Sequence, residues 1–287
     1  MKKVLVIGNC QARPVASILE KLALDVELLD PIILHLSKAD DAPEQEALIN
    51  TADIVFAQYT ADIFQPAHLR SSFLKQENPG KVLIWPNIFY AGQQPSLRYI
   101  THASGGRIAG PLDTYHDLRI LEKWYNANDL DLPFQKTSDD QIHQHSLAEL
   151  RAREEAACDV GISDLIEDKF RQERLFFTFN HPSLALLSVV TSRLIDACGL
   201  QPSTEELVMK EPLARIIPPS LWEDDDLEAQ TFRGPRIDFE TPNLALPGPP
   251  TDYSYQDMLS LFYRSYEQQK DKLLDTDNLR VTPNYRH

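Results

Sequence analysis

A cysteine and a histidine carry the chemistry this sequence can offer. Cys10 lies in Gly8-Asn9-Cys10-Gln11, after the apolar run 4–7 and before a segment with Pro14 in a first-turn position. Val15, Ile18, Leu19 and Leu22 then recur at helical spacing. His181 lies in Asn180-His181-Pro182, between a predicted strand at 175–179 and an apolar helix predicted over 183–198, with Pro182 at its first position. Both residues therefore stand at strand-to-helix switches. A thiol with a base in reach is what nucleophilic acyl transfer needs. The helix start beside Cys10 is expected to favour thiolate through the helix dipole. Asn9, Gln11 and the Gly8 backbone N–H are candidate oxyanion donors; Asn87, at another strand end, could donate as well or orient the histidine. The competing readings are a small buried hydrophobe for Cys10 and a helix cap for His181.

Other polar residues rank lower. Gln58 and Tyr59 close a predicted strand at 54–59 and would share a rim with Cys10 and Pro86-Asn87. His116, with Asp113, is a second candidate for a base or substrate contact. Arg13, Arg98 and Arg107, together with Tyr90, are candidate contacts for an anionic cofactor; ordinary surface arginines are the competing reading. His143 and His145 are two residues apart and do not share a helix face, so no metal site is expected there. The Asp224-Asp225-Asp226 run reads as a solvated turn or helix start. Neither G-x-G-x-x-G nor G-x-x-x-x-G-K-[ST] occurs.

The elements that must position these residues alternate. Strands at 4–7, within 26–36, at 54–59 and at 82–85 alternate with helices at 12–22, 41–51 and 66–76. This predicts an α/β fold: a Rossmann-like or flavodoxin-like parallel sheet with helices on both faces. Residues 88–111, rich in glycine and aromatics, read as a long functional loop. Helices are expected at 114–126, 138–158 and 162–174, giving a helical insertion of about 113–174 in a catalytic domain of 1–200. Residues 202–250, acidic and proline-rich, read as irregular; a last helix is expected over 253–274. The 201–287 segment is expected to pack on the same domain.

The 287 residues carry a net charge of −15, and the pI is near 4.9. This argues against general nucleic-acid binding and against anionic membrane surfaces. Three cysteines form neither a disulfide framework nor a C-x-x-C metal pattern. With no apolar run of membrane-span length and no signal-peptide core, a cytoplasmic protein without an integral membrane segment is expected.

Five motifs, in order, resemble the WcbI family of capsular-polysaccharide biosynthesis: Gly8-Asn9-Cys10-Gln11; Gln58-Tyr59; Trp85-Pro86-Asn87-Ile88-Phe89-Tyr90; Gly110-Pro111-Leu112 with Tyr115-His116; and Phe177-Thr178-Phe179-Asn180-His181-Pro182. The resemblance covers roughly residues 1–200. It implies an acetyltransferase that takes acetyl-coenzyme A as substrate and acetylates a sugar hydroxyl. It also implies a catalytic cysteine and histidine, here Cys10 and His181, with Asn87 or Asn180 as third member. The layout further resembles an SGNH-type hydrolase with cysteine in place of the first-block serine, although no D-x-x-H block is present. The rival functions are an esterase, deacetylase or thioesterase using the same pair, and a non-catalytic carbohydrate-binding protein. Small-molecule donor and sugar acceptor are the implied partners; homo-oligomer formation is left open.

Overall fold

The computed structural model describes residues 1–111, 114–134, 137–214 and 231–283. In chain order the elements are β1 (Lys2–Gly8), α1 (Ala12–Leu22), β2 (Val26–Leu28), β3 (Ile32–Ile33), α2 (Ala42–Thr51), β4 (Ile54–Gln58), α3 (Ser71–Glu77), β5 (Val82–Trp85), β6 (Leu97–His102), β7 (Gly106–Arg107), β8 (Tyr115–Asp117), α4 (Leu118–Ala127), α5 (Asp139–Ala157), α6 (Ser163–Lys169), β9 (Phe176–Thr178), β10 (His181–Pro182), α7 (Leu184–Cys198), β11 (Thr231–Gly234), β12 (Ile237–Asp238), β13 (Thr241–Ala245), β14 (Thr251–Ser254), α8 (Tyr255–Gln268), α9 (Lys270–Leu274) and β15 (Leu279–Thr282). Two compact units result. The first comprises Met1–Phe89, Leu147–Leu175 and His181–Leu213; the second comprises Tyr90–Ser146, Phe176–Asn180 and Ala214–His287.

The first unit is the expected parallel α/β sheet. Strand β1 is central, pairing in parallel with β2 and β3 on one side and β4 on the other; β4 pairs with β5. Side chains alternate between the faces of a strand. Leu5, Ile7, Val55, Ala57 and Ile84 pack with Ile49 of α2 and Leu74 of α3. Val4, Val6 and Phe56, equally buried, are left for the opposite face, where α1 packs on β1 and α7 on β5. Burial on both faces explains why these strands read as continuous apolar runs. Gly8 is required at the end of β1 by close approach. A Cβ there would lie 3.0 Å from Trp85 Cζ2 and 3.2 Å from the Ala12 Cβ.

The second unit is built on antiparallel pairing. Strand β6 pairs with β15, β7 and β8, and β11–β14 and β12–β13 form two further pairs. Helices α4 and α8 pack together through Trp124 and Tyr266, whose ring centroids are 5.6 Å apart; Trp124 Nε1 donates to Glu267 at 2.9 Å.

Several sequence expectations are corrected. Residues 88–111 are not one loop but contain β6 and β7, hidden because β6 is buried on both faces and shows no alternation. Residues 115–117 form β8 rather than the first turn of a helix, and Asp117 is the true cap of α4. The helix at 66–76 is a short 3-10 turn followed by α3, and the one at 162–174 is only Ser163–Lys169. Pro182 lies outside α7, because Ser183 is its N-cap: Ser183 Oγ accepts from Leu186 N. The stretch 202–250 is not uniformly irregular, since β11, β12 and β13 lie within it. The 253–274 helix is β14 followed by α8 and α9. Asp113 and the 224–226 run lie outside the described residues.

Candidate functional site

Cys10 occupies the turn between β1 and α1, and α1 begins at Ala12. The turn is held by side-chain amides. Gln58 Oε1 accepts from the Asn9 backbone N–H at 2.9 Å, and Asn9 Oδ1 accepts from the Gln11 N–H at 2.9 Å. Gln58 Nε2 donates to Gln11 Oε1, while Gln11 Nε2 donates to the Ile88 carbonyl, both at 2.8 Å. Asn9 Nδ2 donates to Asn87 Oδ1 at 3.2 Å. Residues from the ends of β1, β4 and β5 thus form one polar cluster at the carboxyl rim of the sheet, where open α/β folds bind ligands.

This network redistributes the expected roles. Gln11 and Gln58 are buried and committed to each other. They fix the backbone around Cys10 rather than present donors to an oxyanion, and the Asn9 N–H is spent as well. Asn87 is half-buried and uses its oxygen on Asn9, so the donor end of its amide is the Nδ2. Cys10 is half-buried; its Sγ–H points to Asn9 Oδ1 at 3.8 Å. Burial pushes its pKa up, and its own backbone N–H only partly offsets that. Burial therefore works against the thiolate-favouring effect expected of the helix start. The reason is desolvation, which outweighs the local hydrogen bond. Iodoacetamide alkylation of Cys10 should accordingly show a midpoint above that of a free thiol; a peptide-mapping pH series reads it, and an acid-shifted midpoint would contradict this.

His181 is half-buried, three residues before the start of α7 and two before its Ser183 cap. Helices α1 and α7 pack against each other. Their carboxyl ends are tied together: Leu24 N donates to Gln201 O at 2.8 Å, Ser203 N donates to Leu22 O at 2.7 Å, and Ala23 bridges to Pro202. Two packed helices whose ends coincide in this way run parallel, so their amino ends share one side of the unit. With 11 residues in α1 and 15 in α7, their lengths are about 16 and 22 Å. Cys10 and His181 hence stand at the same, carboxyl, side of the sheet. The repeated strand-to-helix pattern was the signal for this in the sequence.

Arg153 was not foreseen. It lies on α5, in the same unit, and its Nη2 donates to the Phe89 carbonyl at 3.3 Å, two residues beyond Asn87. Its buried Nε has no hydrogen-bond partner among the described residues. The helical pattern of α5 gave no sign that this arginine, among several, turns towards the rim.

Other candidates take different places. His116 is fully buried, its Nε2 is bonded to the Ile108 carbonyl at 2.9 Å, and its ring stacks on Tyr266. Burial pulls its pKa down to about 4, so it is a neutral core histidine and not a base in contact with substrate. Asn180 Oδ1 accepts from Tyr115 OH at 2.5 Å and from Thr178 Oγ1, and Asn180 Nδ2 donates to Tyr99 OH. Those bonds employ it within the second unit. Tyr90 is buried there, with its hydroxyl 2.7 Å from His143 Nδ1. Arg107 lies over the Tyr99 ring at 3.7 Å. Arg98 is buried and donates to the Pro95 and Leu97 carbonyls. Arg13 is exposed on the first turn of α1, and Tyr59 is half-buried after β4. Among the described residues no group of three or more His, Cys, Asp or Glu side chains could hold a metal ion. Ser104, His102 and Asp275 form a chain of hydrogen bonds, 2.7 Å at Nδ1 and 3.0 Å at Nε2. The neighbouring Ser104 and Gly105 N–H groups are spent on His102, leaving no oxyanion donors, so this trio pins a hairpin.

The architecture is that of an α/β enzyme with its polar cluster at the sheet rim. A solved structure described as WcbI, a novel polysaccharide biosynthesis enzyme, matches with a TM-score of 0.65 at 19% identity, over 96% of this chain and 93% of that one. That structure is described as the native protein without a disulfide bond between coenzyme A and one of its cysteines. No curated protein matches the sequence. The family model for polysaccharide biosynthesis enzyme WcbI matches residues 3–203. The chain belongs to the WcbI family of polysaccharide biosynthesis enzymes. No helix among the described residues is long and apolar enough to cross a membrane.

Proposed function

We propose that the protein transfers an acyl group, acetyl in the first instance, from coenzyme A to a sugar hydroxyl during capsular or exopolysaccharide synthesis in the cytoplasm. The observation that carries this reading is the packing of α1 on α7 with the segments after their carboxyl ends joined, which supports Cys10 and His181, just ahead of the two helices, sharing one side of the sheet. The mention of coenzyme A and a cysteine for the solved relative supports the choice of donor. Three free cysteines suit a reducing compartment.

In the proposed reaction His181 takes the Cys10 proton, and the sulfur attacks the thioester carbonyl carbon. Asn87 Nδ2 donates to the resulting oxyanion. Its collapse expels the coenzyme A thiolate, which receives the proton from His181. The sugar hydroxyl then gives its proton to His181 and attacks the acyl-cysteine, and the departing Cys10 thiolate is reprotonated. Because burial holds Cys10 as a thiol, this route depends on the base. Arg153, with its free Nε, is the proposed partner for a donor phosphate.

Coenzyme A should raise the melting temperature, since at a hundredfold excess over Kd a ligand specific for the folded state adds about 2.7 kcal/mol. Arg153→Gln should shrink that gain. Intact-protein mass spectrometry with acetyl-coenzyme A alone should show one added acetyl group, absent in Cys10→Ser. A protein indifferent to coenzyme A that cleaves a generic acetyl ester would instead be the hydrolase.

A further inference from the structure

Within the first unit, a cavity of about 280 Å³ lies between α2, the 3-10 turn at Ala67–Leu69 and α3. That volume is just below the usual range for small-molecule pockets, about 300–1,000 Å³, and suits a short ligand. None of Asn9, Cys10, Gln58, Asn87 or His181 lines it, so it is separate from the polar cluster at the sheet rim. Ile49 and Leu74 give it apolar wall, and Phe73, 39% exposed, adds an aromatic edge.

His68 sets its chemistry. The side chain lines the cavity and is only 8% exposed. Ser37 Oγ donates to the Ile33 carbonyl at 3.0 Å and so accepts from Gln45 Nε2 at 2.9 Å. That orients the Gln45 amide with its Oε1 towards His68 Nε2, 2.7 Å away, and the ring donates there. In a neutral imidazole the other nitrogen, Nδ1, is then an acceptor. It has no hydrogen-bond partner among the described residues. Burial pulls the His68 pKa below the ordinary histidine value, against the opposing pull of Glu46 and Asp41, in keeping with a neutral ring.

The rest of the lining is of the same kind. Asn78 spends its Nδ2 on the Leu74 carbonyl at 3.2 Å, which leaves Oδ1 as an acceptor. The carboxylates of Glu46 and Glu77 also line the cavity; both residues are exposed, and neither is in an ion pair among the described residues. No lysine or arginine lines it; Lys81 Nζ reaches the Asn50 backbone carbonyl at 3.4 Å. The cavity therefore offers acceptors, negative charge and an apolar wall, and an anion or a molecule without N–H or O–H donors would find no match. Among the described residues no His, Cys, Asp or Glu cluster converges on a metal ion. What fits is a cation that carries several N–H donors on an apolar body.

We propose that this cavity binds a small organic cation, a primary ammonium or guanidinium group on a short apolar stem, through the acceptors of His68 and Asn78 and the charges of Glu46 and Glu77. The proposal makes no use of the acyl-transfer reading and stands or falls apart from it.

Saturation-transfer NMR titrations on the full chain, at constant ionic strength, test it with n-butylammonium and n-butylguanidinium. Tetramethylammonium, a cation without N–H donors, is the control for unspecific attraction to an acidic protein. At least one of the two donor-bearing cations should bind saturably, and tetramethylammonium should not. Glu46→Gln and Glu77→Gln should each weaken binding about threefold, as for exposed ion pairs, and His68→Leu about fivefold, the factor for one lost hydrogen bond. Both glutamates are exposed, so their variants keep the test usable if His68→Leu folds poorly. A capped lysine, Nα-acetyl-lysine methylamide, separates two sources of the same group: tighter binding than n-butylammonium assigns the cavity to a lysine side chain of another protein, weaker binding to a free amine. Absence of saturable binding by both donor-bearing cations, equal binding of tetramethylammonium, or binding unchanged in the Glu46→Gln, Glu77→Gln double variant would each overturn the assignment.

Discussion

His181→Ala should lower kcat for acyl transfer by about 10²–10⁴-fold, the usual contribution of a positioned general base, with little effect on coenzyme A binding. The expectation rests on two features of the same unit. The Cys10 thiol is held protonated by burial, so it needs a base to react at neutral pH. His181 stands at the amino end of α7, on the side where α1 begins just past Cys10. A histidine that merely packed the turn would behave differently, since its loss would reduce melting temperature and activity together. The pH profile separates the two. The acid limb of kcat/KM should be present in the native protein and vanish in His181→Ala, while Cys10→Ser should abolish the acyl-enzyme. Retained turnover in Cys10→Ser, with the acid limb intact, would leave His181 acting directly on the acceptor. Retained turnover in His181→Ala would remove the histidine from the mechanism.

The first unit was legible because its strands are buried on both faces. Val4, Leu5, Val6 and Ile7 leave no alternative to a central strand, and Gly8 marks its end. The two helix starts beside Cys10 and His181 were legible for the same reason. What stayed hidden was encoded by partners far apart in sequence. Gln11 reads as a possible oxyanion donor until Gln58 and the Ile88 carbonyl are known to occupy it. His116 reads as a possible base until Tyr266, 150 residues later, covers its ring. The direction of the Cys10 pKa was missed because a dipole is visible in a local pattern and desolvation is not. Strand β6 was lost among glycines and aromatics because its partners, β8 and β15, both follow it in sequence, with β15 at the far end of the chain.

Asp117→Ala should cost about 3–5 kcal/mol, the usual consequence of leaving one partner of a buried ion pair alone. Asp117 is fully buried. Its Oδ1 accepts from Arg119 Nε and from the Arg119 backbone N–H, both at 2.9 Å, and its Oδ2 accepts from Nη2 at 2.5 Å. One residue thus caps α4 and neutralises a guanidinium at once. Burial by itself would raise the carboxyl pKa, but the Arg119 charge and hydrogen bonds outweigh it, and the net direction is down. The sign of the pH dependence follows. A carboxyl whose folded-state pKa lies below its unfolded value, about 3.9, stabilises fully above that value and loses the contribution as pH falls through the lower, folded one. Urea midpoints should therefore fall on acidification more steeply for the native protein than for Asp117→Asn, which keeps acceptor geometry without the charge. Pairing Asp117→Ala with Arg119→Met removes the stranded cation, so the double variant should recover part of the loss, an interaction that a double-mutant cycle isolates. A double variant as unstable as the sum of its parts would show that the capping contacts alone hold α4, with the charge pair contributing nothing.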